Sequence, residues 1–241
     1  MTLEIAAGNH DAVQALFQRS LLQNADAELW ICYLQYIKTI NSDAQGHIRP
    51  DGRTTVDAVF QFALEQMGKD LQMGVVWFDY IQFLRQSPAA TAYEEGLRMD
   101  SVRNTYHAAL AIPLLNIEQI WRDYDQYENS LNRMTARKLI NERSQVYMSN
   151  RQASKELKII HDALPKETLA IPMASRMGKA MMTSFRQVWQ RKLTWEKEHY
   201  GTLEDPARGK NFKLKDRVTL AFKQALAHLR YCPDIWYLFS S

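Results

Sequence analysis

The sequence predicts an all-α chain of stacked helix hairpins, and three observations carry that reading. Tryptophan recurs in one fixed pattern, an aliphatic pattern falls between successive tryptophans, and no sustained period-2 run bounded by hairpin turns marks a strand. The tryptophan pattern is clearest at Ile120-Trp121-Arg122-Asp123-Tyr124-Asp125-Gln126-Tyr127-Glu128. At about 100° per residue, Ile120, Trp121, Tyr124 and Tyr127 share one helix face, and Asp123 and Gln126 point away from it. The arrangement recurs at Leu29-Trp30 with Tyr33 and Tyr36, and at Val76-Trp77 with Tyr80 and Phe83. It returns less regularly at Val188-Trp189 with Trp195, and begins again at Ile235-Trp236 with Phe239.

Successive tryptophans of the pattern lie 47, 44, 68 and 47 residues apart. This is the period of a helical repeat, with one interval longer by about 20 residues. Each tryptophan helix (A) alternates with a B helix whose apolar residues fall at offsets of 3, 4, 7 and 8. The B helices read Val13, Leu16, Phe17, Ser20, Leu21; then Val56, Val59, Phe60, Ala63, Leu64; then Val102, Tyr106, Ala109, Leu110; and finally Val218, Ala221, Phe222, Ala225, Leu226. Small residues on that stripe let a neighbouring helix come close, and the partner supplies the bulk. Gly46, Pro50 and Gly52, Ser87-Pro88, Gly68 with Gly74, Pro113 and Pro233 fall at the breaks between helices.

After Trp121 the B helix runs long, from about Thr135 to Leu164, with no interior Gly or Pro. A mobile linker is expected near residues 165–182 and an exposed loop at Gly201 to Lys210. In the Trp189 unit the +3 position holds Lys192, so Leu193 is expected to fill the space a tyrosine fills elsewhere. The chain reads as a single array over 1–241. Asp11 to Gln23 is a B helix without an A helix before it, and the sequence stops inside a tryptophan helix. No polar end caps appear, so a portion of a longer array is expected.

Composition narrows the function. The hydrophobic fraction of 46% supports a substantial core, and the formal charge of +3 is too small to argue for nucleic acid by itself. The longest apolar run, Ala108 to Leu115, is interrupted by Pro113 and is far short of a membrane span. Cys32 and Cys232 offer neither metal spacing nor a disulfide framework and point to a reducing compartment. The nine glycines form no phosphate-binding loop, and His10, His47, His107, His161, His199 and His228 contain no H-x-x-x-H pair. No catalytic residue, metal site or cofactor is expected.

The Trp-x-x-Tyr-x-x-aromatic-Glu pattern, with Glu128 and Glu196 in the last place, resembles the HAT (half-a-tetratricopeptide) repeat. The 34-residue tetratricopeptide unit has a different B helix and different glycine positions. Within that class the chain is most similar to the suppressor-of-forked family, the large HAT-repeat subunit of cleavage stimulation factor. The matching segments are Glu28 to Tyr36, Val76 to Leu84, Asn116 to Glu128, Glu142-Arg143-Ser144, Tyr147-Met148, Lys155-Glu156 and Pro233 to Tyr237. The resemblance implies a right-handed superhelical α-solenoid and a nuclear scaffold for messenger RNA 3′-end cleavage and polyadenylation. Its implied partners are other subunits of the cleavage stimulation and polyadenylation factors, and its implied homodimer forms through a region mostly outside this chain. The alternatives are a HAT scaffold for splicing or ribosomal RNA maturation, and a repeat that binds RNA directly.

Two residue sets follow. Trp30, Tyr33, Tyr36, Trp77, Tyr80, Phe83, Trp121, Tyr124, Tyr127, Trp189, Trp195 and Trp236 are expected in the repeat-packing core rather than on a base-stacking platform. On the long helix, Arg133 to Lys158 carries seven cations against two acids, a local +5 that exceeds the charge of the whole chain. Arg133, Arg137, Arg151, Lys155 and Lys158 line up within an arc of roughly 60°. They form a candidate basic ridge for RNA phosphates or an acidic partner. The bland alternative is a solvated edge whose stems cover apolar surface.

Overall fold

The structure, a computed structural model, describes residues 9–164, 176–199 and 214–240. Among them are helices and no strand, with one isolated bridge between Ser42 and Ile48. They fall into two compact units, Met1–Gly68 and Lys69–Ser241.

The first unit holds α1 (His10–Ser20), α2 (Ala27–Ile40) and α3 (Arg53–Met67). Asp26 starts α2 by accepting the Glu28 amide at 2.9 Å, satisfying one of the orphan donors of the first turn. Phe17 of α1 lies 4.9 Å from the Tyr33 ring and 5.7 Å from that of Tyr36. Trp30, on the same helix, is 1% exposed and meets Phe62 of α3 at 5.4 Å. The connection between α2 and α3 turns at Gly46, whose φ of 84° suits a residue without Cβ. Asp43 braces that turn by accepting the amides of Gln45 and His47, both at 2.9 Å. Those bonds, the His47 amide foremost, hold its carboxyl below the ordinary range.

The second unit opens with a 3-10 turn (Leu71–Met73) capped by Asp70. It continues through α4 (Gly74–Arg85), α5 (Ala92–Leu110), α6 (Ile117–Leu131), α7 (Arg133–Asp162), α8 (Arg176–Glu198), α9 (Leu214–His228) and α10 (Pro233–Ser240). A full capping box at Thr91 and Glu94 starts α5, and Asn132 caps α7 by accepting the Met134 amide. Gly74 is needed because a Cβ there would overlap the Asn116 side chain, whose Nδ2 donates to the Gly74 carbonyl at 3.0 Å. Ala109, Ala136 and Ala225 are fully buried on the B helices, where small size admits the aromatic side chains of their neighbours.

Helix α8 begins at Arg176, so the later part of the linker expected near 165–182 is helical. Residues 165–175, and the loop expected at Gly201 to Lys210, lie outside the described residues.

Candidate interaction surface

Most of the tryptophan stripe lies inside. Trp30, Tyr36, Trp77, Tyr80, Phe83, Tyr124, Tyr127, Trp189 and Trp195 are buried, and Tyr33 is partly so. Two tryptophans depart from the expectation. Trp121 is half-buried and stacks flat on Tyr147 of α7, with centroids 4.3 Å apart and planes 4° apart. Trp121→Ala should therefore cost about 2 kcal/mol in thermal melts, less than the roughly 3–5 kcal/mol of a fully buried indole. Trp236 is 49% exposed and does not belong to the core. Its neighbour Ile235 is the buried residue of α10, while the indole N–H only reaches the Arg230 carbonyl at 2.9 Å. The reason is positional. Trp30, Trp121 and Trp189 each pack against a ring of the following B helix, and no B helix follows α10 among the described residues.

Asp123 was expected to point away from the packing face, but it is a hub. Gln82 and Arg85 of α4 and the hydroxyl of Tyr106 of α5 all donate to its carboxylate. One residue to the other side, Tyr124 meets His107 Nε2 at 3.0 Å. Glu128, 1% exposed, receives both arms of Arg103, Nε at 2.7 Å and Nη2 at 3.1 Å. This fork satisfies both carboxylate oxygens, the condition under which a buried charge is tolerated. Three helices are thereby held in one register.

Burial pushes the hydroxyls of Tyr106, Tyr124 and Tyr127 above the ordinary 10.0, and the Asp123 charge adds to the shift at Tyr106. A raised folded-state value keeps these phenols protonated while those of the unfolded chain ionise. Their contribution is therefore present below pH 10 and lost as the pH rises beyond it. Melting temperature should fall steeply above pH 10, and the tyrosinate absorbance of Tyr106, Tyr124 and Tyr127, isolated by difference from single Tyr→Phe variants, should appear in the same transition. Ionisation of these three well before unfolding would contradict this.

Lys192 is the residue the sequence pattern could not place. It is buried rather than replaced by Leu193, which is buried beside it. Its ammonium lies 5.1 Å from the Trp189 ring centroid and donates to Gln224 at 2.9 Å, and Gln224 in turn donates to Asp70 at 2.7 Å. Glu196 and Arg217 pair at 2.7 Å in the same polar interior. Desolvation lowers the Lys192 pKa, opposed by the charges of Asp70 and Glu196. A lysine at the +3 position, where every other unit carries an aromatic residue, was the only signal in the sequence.

The basic ridge changes in one member. Arg133, Arg137, Lys155 and Lys158 are exposed along α7. Arg151 instead bonds Glu118 of α6 at 2.6 Å, which raises its own pKa and lowers that of Glu118. It ties α6 to α7 and is withdrawn from the ridge. No helix among the described residues is long and apolar enough to cross a membrane, and no described cluster of His, Cys, Asp and Glu could hold a metal ion.

Comparison with known proteins accounts for this architecture. The mRNA 3′-end-processing protein rna14 of Schizosaccharomyces pombe is 34% identical over 238 residues, covering 97% of this chain and 30% of the relative. RNA14 of Gibberella zeae is 35% identical over 243 residues, covering 97% of this chain and 24% of the relative. The chain thus spans less than a third of the length of these curated relatives. A solved structure, that of CstF-77, superposes with a TM-score of 0.73 at 16% identity, over 99% of this chain and 44% of that one. That likeness shows the shared HAT-repeat fold. A family model described as Suppressor of forked protein matches residues 1–241. Matched from first residue to last, the chain belongs to the suppressor of forked family.

Proposed function

We propose that this chain is a scaffold segment of the nuclear machinery that cleaves and polyadenylates messenger RNA 3′ ends, and that it acts by binding other subunits rather than by catalysis. The observation that supports this most is the match of nearly the whole chain to proteins named for mRNA 3′-end processing. The described residues fit the role. Most of the repeat's aromatic stripe and the pairs Arg103–Glu128, Arg151–Glu118 and Arg217–Glu196 hold helices together, while long helix faces are left for partners. A scaffold for splicing or ribosomal RNA maturation finds no support in those names. Direct RNA binding as the main task would need exposed aromatics among the α7 cations, and Tyr147 is instead stacked on Trp121.

Immunodepletion of the full-length protein from nuclear extract tests the proposal. Cleavage of a 3′-end substrate should be lost. Full-length protein should restore it, and a version lacking residues 69–241 should not. Unimpaired cleavage after depletion, or co-purification with splicing subunits alone, would overturn the reading.

A further inference from the structure

Helix α7 carries a surface that its packing does not use. Met134, Met148 and Ile159 are 88%, 57% and 64% exposed. Their spacing of 14 and 11 residues places them within an arc of about 40°, on a line about 37 Å long that the exposed Asn141 and Gln152 share with them. Arg137 and Lys155 lie about 40° to one side of the centre of that line, with Arg133 and Lys158 further round the same edge. These four cations form no ion pair among the described residues, whereas Arg151 is paired with Glu118. The buried face of the same helix (Ala136, Ala153, Leu157, Ile160) is turned well away from the line.

We infer that this stripe of α7 docks an acidic amphipathic protein helix, with apolar side chains seated on Met134, Met148 and Ile159 and carboxylates along the cationic edge. Charge complementarity selects an acidic partner, and the apolar line selects protein over nucleic acid. A phosphate backbone has nothing to bury against three large aliphatic side chains, and no exposed ring of α7 is free to stack a base. Methionine suits such a surface because its flexible thioether adapts to the shape of the incoming side chain. The inference deepens the scaffold reading by naming the chemistry of one partner. It is tested with purified components, so its failure is separate from any outcome in extract.

The probe is a synthetic, fluorescein-labelled helix of about 25 residues, long enough to span the line. It carries leucines in matching register and glutamates on one edge. Its control is a peptide of the same composition in shuffled order, and a labelled oligouridylate of equal charge is the competitor. With the full 241-residue chain near physiological salt, the ordered peptide should bind about tenfold or more tightly than the shuffled one. Met148→Ser with Ile159→Ser should weaken binding about tenfold, as should Lys155→Glu with Lys158→Glu. Arg133→Glu with Arg137→Glu should act in the same direction at the other end of the helix. All these positions are exposed, so melting should be unchanged and loss of binding reads the surface itself. Equal binding of both peptides, indifference to the serine pair, displacement by the oligouridylate, or no binding at all would each overturn the proposal.

Discussion

Trp30→Ala is expected to destabilise the Met1–Gly68 unit by about 3–5 kcal/mol, as loss of a fully buried large aromatic does. The indole is 1% exposed, lies against Phe62 and shares its helix with the Tyr36 ring that packs on Phe17. Alanine would leave a void that the three helices can only partly close. The substitution also removes a buried indole N–H that has no hydrogen-bond partner, which offsets part of the loss. Trp30→Phe keeps a ring against Phe62 and removes the same N–H, so it should cost less than half as much. Hydrogen exchange read over residues 9–67 checks both, because it reports this unit without averaging over the other. Equal protection in wild type and Trp30→Ala would place the indole outside the core.

Arg103→Ala should cost about 3 kcal/mol, near the lower end for breaking a buried pair, because Arg103 itself keeps some contact with water. The loss comes from stranding the Glu128 carboxylate between α5 and α6, more than from the attraction removed. Glu128→Leu placed on the Arg103→Ala background should therefore recover most of the stability, the signature of a charge that is costly alone and tolerable when paired or absent. Urea denaturation of the four members of that cycle measures the coupling. Additive losses would show that Arg103 and Glu128 do not act as a unit.

The helices were legible because their signals are local. The pattern of Trp121, Tyr124 and Tyr127 needs only the 3.6-residue period, and the buried Ala63, Ala109 and Ala225 stand where the B-helix stripe puts small residues. What could not be read depends on residues far apart in sequence. Asp123 appears solvent-facing on a helical wheel, yet Tyr106, Gln82 and Arg85 reach it from two other helices. Lys192 is held through Gln224 by Asp70, a bond between residues 154 positions apart. Trp236 has the local pattern of its predecessors, but none of the described residues buries it. Arg151 aligns with the other cations of α7, but its pairing with Glu118 depends on how α6 lies beside it. Periodicity tells which face of a helix is apolar, and the neighbouring helix decides which polar side chains are consumed.

Most of the indoles act as filling between helices, so that helix faces such as the α7 stripe are left to partners. Fluorine NMR of the chain labelled with 5-fluorotryptophan tests this directly, with each resonance assigned by a single Trp→Phe substitution. Exchange of water for deuterium oxide shifts a resonance in proportion to its exposure. Trp30 and Trp189 should not move, Trp121 should move slightly, and Trp236 should show the largest shift. Comparable shifts at Trp30, Trp189 and Trp236 would mean that the rings line an open surface, and would contradict the account.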